Sequence, residues 1–146
     1  MGTNYYVREK LSEKDKKEMK HLLDNDDIER VSEMIPNAVH IGKNSCGWRF
    51  CFNHNNWKHY KNIEELKEFI KNNTFYDEYG RDVDANEFWE NVERKENDPD
   101  MLDGNRYADR WEEFHGKEPK PCYMLRSETG DEEHFGYRFS SSTEFS

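Results

Sequence analysis

The chain has 146 residues, a net charge of −10, and 37% charged against only 33% hydrophobic residues. That balance approaches the composition of disordered proteins, but nine Phe, eight Tyr and four Trp exclude it, because each ring can bury about 150–250 Å² and a chain of this length can build one domain, 1–146, around one core. The negative charge disfavours direct nucleic-acid binding, and no apolar run of about 18 residues offers a membrane span.

"TNYYVRE" carries β-favouring Tyr5, Tyr6 and Val7 and predicts an opening strand. Ser12, with Asp15 three residues on, marks a helix start, and Leu11, Met19, Leu22 and Leu23 give that helix an apolar stripe. "DDIERVSEMIP" predicts a second helix carrying Ile28, Val31, Met34 and Ile35, which Pro36 ends. "AVHIGKNS" and "WRFCFN" alternate with period two about a turn at Cys46-Gly47, and this is the clearest hairpin, with Trp48, Phe50 and Phe52 on one face and Arg49 and Cys51 on the other. "NIEELKEFIKNN" is the clearest helix, capped by Asn62, with Ile63, Leu66, Phe69 and Ile70 at helical spacing.

"FYDEYGRDV" predicts a short hairpin turning near Gly80, and "DANEFWENVERK" a helix boxed by Asp84 and Glu87. Residues 96–121, punctuated by Pro99, Gly104, Gly116, Pro119 and Pro121, are expected as a surface insertion around a short helix, "RYADRWEEF". "CYMLRSETGDEEHFGYRFSS" predicts a closing hairpin around Thr129-Gly130-Asp131. Strands at both ends and in the middle, interrupted by helices, predict an α+β fold: an antiparallel or mixed β-sheet with helices packed mainly on one face.

The N-terminus lacks the zones of a signal peptide, and Cys46, Cys51 and Cys122 are an odd number, so reduced thiols and a cytoplasmic location are expected. "GKNSCG" has the glycine spacing of a phosphate loop, but Trp48 and Arg49 stand where that motif needs Lys and Ser or Thr. Two readings stay open: Gly42 and Gly47 make a bulge and a turn with Trp48 in the core, or they let a ligand approach Lys43 and Trp48. His40, Cys46, Cys51, His54 and His59 are zinc-ligand types without zinc-site spacing, so no metal and no other cofactor is expected. Carboxylate pairs are expected by chance among 32 acids, and Ser45 or Cys46 with His40 lacks an orienting third group, so no enzyme is expected. From Tyr76 to Glu118, fifteen acids face six Lys and Arg, and this 76–118 segment holds nearly all the net charge.

"MGTNYY", "HIGKNSCGW", "YDEYGRDV" and the closing "GYRFSSSTEFS" together resemble a family of small, largely uncharacterised proteins encoded by bacteriophages and prophages. Many of its members carry a Cys-x-x-Cys ahead of the "HIGK" strand, where this chain has "LSEKDKKEMKHLLDNDDIERVSEMIP". The resemblance implies a counter-defence factor in the host-cell cytoplasm, a non-catalytic protein that sequesters a nucleotide-derived immune signal. In that reading Lys43 holds phosphate, Trp48 with Tyr5 or Tyr6 stacks a base, Asn4, His40 and Ser45 hydrogen-bond, Arg81 is a second cation, and a homo-oligomer shares the pocket. The alternative is an acidic inhibitor of anti-CRISPR or anti-restriction type, whose 76–118 segment blocks the nucleic-acid groove of a basic host defence protein.

Overall fold

A computed structural model describes residues 2–116 and 131–140, with Asn55 and Asp131 described by backbone alone. In chain order the elements are β1 (Gly2–Arg8), α1 (Glu13–Asp24), α2 (Ile28–Met34), β2 (Val39–Ser45), β3 (Cys51–Asn53), a 3-10 turn (His54–Asn56), α3 (Ile63–Asn72), β4 (Thr74–Asp77), α4 (Ala85–Glu96), α5 (Gly104–His115), β5 (Asp131–His134) and β6 (Tyr137–Ser140). The strands form one six-stranded sheet in the order β4-β1-β2-β3-β6-β5. All neighbours run antiparallel except β3 and β6, so the fold is α+β with a mixed sheet.

Short polar side chains start the helices, at Ser12, Asn62 and Asp84 as the sequence predicts and at Asp103 in addition. Ser12, Asn62, Asp84 and Asp103 each accept a hydrogen bond from the backbone N–H three residues on, at 3.1, 2.8, 2.9 and 2.8 Å, and each such cap stabilises its helix by about 1 kcal/mol. One face of the sheet carries Val7, Val39, Ile41, Phe52, Phe75 and Phe139, and Ile63, Leu66 and Ile70 of α3 with Phe88 and Val92 of α4 close over it. Aromatic edges dominate the contact: Phe88 meets Phe50 and Phe75 edge-on at 5.0 and 4.9 Å between ring centres.

Three expectations need correction. The apolar stripes of α1 and α2 are thin, because Leu22 and Val31 are buried while Leu23, Ile28 and Ile35 stay exposed. The ladder of β3 begins at Cys51, not Trp48, since the Arg49 N–H donates to the Leu102 carbonyl at 2.8 Å. The last hairpin turns at Phe135-Gly136, both at positive φ (58° and 85°), a geometry that matches the twist of the flanking strands; Thr129 and Gly130 lie outside the described residues. The 96–121 segment carries its expected helix as α5 and is docked at its described start: Leu102 donates to the Gly47 carbonyl at 2.8 Å, and Asp103 and Ala108 are buried.

Arg49 does that docking. The residue is 5% exposed, and its guanidinium forks onto Glu96 at the end of α4 (2.8 Å), the α5 cap Asp103 (3.0 Å) and Glu133 of β5. Burial works against its charge, but the hydrogen bonds to Glu133, Glu96 and Asp103 outweigh that and raise its pKa. Removing one partner of a buried charge group costs about 3–5 kcal/mol, because the others stay buried and unpaired. Arg49→Ala is therefore expected to lose about that much in urea unfolding, with Arg49→Lys intermediate since it keeps the charge without the fork; a loss under about 1 kcal/mol for the alanine variant would show that the carboxylates do not need it.

Candidate functional site

The geometry of the "HIGKNSCGW" stretch turns on one extra residue. In the β1–β2 pairing Tyr5 lies opposite Gly42 and Tyr6 opposite His40, so Ile41 is a β-bulge. Ile41 and Gly42 are both buried, which sends His40 and Lys43 to the other face, beside Tyr6 and Asn4. Simple alternation would put these two residues on opposite faces.

On that outer face His40 Nε2 donates to Asn4 Oδ1 at 2.9 Å, and the His40 ring lies 5.2 Å from Tyr6. Tyr6 in turn stacks on Tyr76 at 5.8 Å, with the Arg8 guanidinium 5.3 Å from the Tyr76 ring. Burial lowers the His40 pKa, a backbone hydrogen bond at Gly42 opposes this, and the charge of Lys43 adds to it. Next to His40, Lys43 lines a cleft of about 620 Å³ with Gly2, Thr3, Asn4, Ser45, Glu78 and Tyr79. The cleft wall is tied together: Glu78 accepts from the Asn4 N–H at 3.0 Å, and its own N–H donates to the Asn4 carbonyl at 2.9 Å.

Of the residues expected at a ligand site, Asn4, Lys43 and Ser45 meet in this cleft, with His40 and Tyr6 adjacent on the same face. Tyr5 instead packs into the core against Phe88, Phe50 and Phe75 at 5.3, 5.8 and 5.8 Å. Trp48 is neither in the core nor in the cleft: its ring lies 5.4 Å from Tyr107 and under the Arg138 guanidinium at 5.1 Å. Arg81 is engaged by Asp77 at 2.9 Å and lies 5.0 Å from the Tyr79 ring. Tyr79, which no sequence motif singles out, is the exposed ring at the cleft (69% exposed).

The glycines serve the backbone. A Cβ on Gly42 would come within 2.3 Å of the Cys51 carbonyl oxygen and 2.6 Å of the Phe50 ring, whereas Gly47 needs only its positive φ of 77° at the turn. That turn is clamped from α4, where the buried Lys95 Nζ donates to the Ser45 and Trp48 carbonyls at 2.8 and 3.0 Å.

The zinc-type residues do not assemble as the sequence set them side by side. His59 lies 3.3 Å from Glu9 and stacks on Phe69, while Cys46 is exposed and Cys51 buried. A different group forms: His54, Glu132 and His134 place their donor atoms within 4.8 Å of one another. Glu132 and His134 share a face of β5 by their spacing of two, a signal the sequence did contain, but nothing local joins them to His54. The acidic 76–118 segment is also less free than its composition suggests. Asp84 and Asp103 cap helices, Asp77 holds Arg81, and Glu96 and Asp103 hold Arg49.

No family model, curated protein or solved structure matches the chain. Fold and site therefore define it as an α+β protein with a polar, one-lysine cleft on the open face of its sheet. No helix among the described residues is long and apolar enough to cross a membrane.

Gly42→Ala is expected to cost at least the roughly 1–3 kcal/mol of overpacking and Gly47→Ala about 1–2 kcal/mol for its left-handed backbone; urea midpoints in the reverse order would contradict this account. Because the folded His40 pKa lies below its unfolded value near 6.5, its contribution to stability is complete above that value and drains away as pH falls through the folded pKa. The stability difference between the native protein and His40→Gln should thus shrink from pH 7 downward, and a difference independent of pH would contradict the assignment.

Proposed function

We propose that the chain is a non-catalytic binder of a phosphate-bearing, nucleotide-like small molecule, with the Lys43 cleft as its site. The observation that carries the reading is the bulge at Ile41, which sets Lys43 on the open face beside Asn4 and near the exposed Tyr79 ring. An ammonium on a flexible stem is a point charge suited to phosphate, and a base stacked on an aromatic ring gains about 1–3 kcal/mol. Tyr79 takes the stacking role first expected of Trp48. Thr3 and Ser45 supply hydroxyls, and Glu78 can accept from a ribose hydroxyl or a base N–H. Among the described residues, no histidine or cysteine lines the cleft to act as a base or nucleophile.

The resemblance to phage-encoded proteins supplies the setting: sequestration of a nucleotide-derived immune signal in the host cell, as a counter-defence factor. One lysine against one glutamate is little charge for a phosphate ligand, so we extend the proposal to a homo-oligomer in which a second protomer completes the site. Blockade of a basic host protein by the 76–118 segment is the weaker reading, since several of its acids are engaged by Arg49, Arg81 and helix caps.

Thermal-shift measurement against mono-, di- and cyclic nucleotides and ADP-ribose derivatives tests the site. A ligand at 100 times its Kd adds about 2.7 kcal/mol of stability, a shift of a few degrees. That shift should be lost in Lys43→Ala, reduced in Tyr79→Ala and kept in Trp48→Ala. No shift with any compound, or one that survives Lys43→Ala, overturns the reading, and light scattering that shows a monomer with and without ligand removes the shared-site extension.

A further inference from the structure

We propose that His54, Glu132 and His134 form a binding site for a divalent transition-metal ion of the zinc type, at the corner where the 3-10 turn after β3 meets the edge strand β5. His54 Nδ1 and His134 Nε2 lie 2.9 and 2.8 Å from the same oxygen, Glu132 Oε2. Two imidazole nitrogens can share one carboxylate oxygen only if each carries a proton there, whereas one cation can take the place of both protons. Zinc bonds of about 2.0–2.1 Å at tetrahedral angles set neighbouring donors roughly 3.4 Å apart. The three donors, all within 4.8 Å of one another with their two short edges near 2.9 Å, bracket that spacing.

His54 Nδ1 adds to this geometry. It is buried and makes no hydrogen bond of acceptable direction, although the carboxylate is close. A buried polar atom left in that state is costly, and a metal ion in the cluster would satisfy it. The rings are also held in place: Trp57 stands edge-on to His54 and His134 at 5.4 and 5.3 Å, and Phe139 edge-on to His134 at 5.3 Å. Positioning by packed neighbours is what a ligand set needs before the ion arrives.

Two imidazoles and one carboxylate suit zinc, nickel, copper and iron(II) rather than magnesium or calcium. Three protein donors leave a fourth position for water or an anionic ligand, and the side chains, 27, 43 and 33% exposed, leave the ion a way in. Trp57 Nε1 lies 3.4 Å from His54 Nε2, a contact at the long limit that favours a proton on Nδ1. Metal at Nδ1 moves that proton to Nε2 and gives up the contact, so the affinity falls short of a dedicated structural zinc site. The bound ion would fasten β5, which among the described residues pairs only with β6, to the β3 end of the sheet.

Calorimetric titration of the full chain with Zn²⁺ is the test, with Co²⁺ absorption as a second readout. One Zn²⁺ per chain is expected, together with cobalt ligand-field bands. Both His134→Ala and Glu132→Gln should weaken binding at least about 10-fold, the range found when groups that support a metal are removed, while His21→Ala on exposed α1 leaves it unchanged. Absence of Zn²⁺ binding, unchanged affinity in both cluster variants, or an equal loss in His21→Ala overturns the proposal. Glu132 is exposed at the sheet edge, so Glu132→Gln decides the question if the histidine variant fails to fold.

Discussion

A buried arginine sets the layout of this protein. Arg49 gathers carboxylates that lie 47, 54 and 84 residues away in sequence and thereby fixes the end of α4, the start of α5 and the strand β5 around one guanidinium. Ion groups of this kind cost several kcal/mol to desolvate and contribute modest net stability. Their effect is to make every alternative arrangement worse, because each would strand a carboxylate without a partner. Arginine suits the role, since its planar fork satisfies several acceptors at once and it does not lose its charge.

Seen from Arg49, the "HIGKNSCGW" stretch divides into two parts with different duties. Its second half, from the Ser45 carbonyl to Trp48, is gripped by Lys95, Leu102 and Tyr107 and serves as the joint between sheet and helices. Its first half presents His40 and Lys43 on the opposite face of the sheet, where Asn4, Tyr6 and Glu78 surround them. The ligand chemistry and the docking chemistry are thus adjacent in sequence but back to back in space. Trp48, the residue type most suggestive of base stacking, falls in the docking half.

Local signals carried most of the fold. Asn62, Asp84 and Ser12 announce their helices because a cap and its partner are three residues apart, and Val39, Ile41 and Phe52 announce a half-buried sheet through alternation. What could not be read was whatever depends on distant partners. Alternation places Arg49 on the strand face away from Phe50 and Phe52 but says nothing of its three acceptors, which lie far along the chain, and nothing local marks Asp103 as one of them. The turn at Phe135-Gly136 was displaced because Phe is a rare occupant of a left-handed turn position, where Asn or Asp would have signalled it. The candidate cleft is half legible: Asn4, Lys43 and Ser45, three of the residues expected at one site, line it together, while the bulge that unites them leaves no mark in a pattern of period two.

Gly42, beside that bulge, also fixes the alignment of β2 on β3. Paired strands ordinarily realign by sliding two residues, which keeps each side chain on its own face. Here a slide of two would set His40 or Asn44 where Gly42 now passes the Cys51 carbonyl, and either would bring a Cβ into a space that holds none. The β2–β3 pairing is keyed to a single register. Positions on its open face are therefore held by backbone that the residues there do not determine, so His40, Lys43 or Ser45 can be exchanged for other chemistries while the places they occupy stay the same.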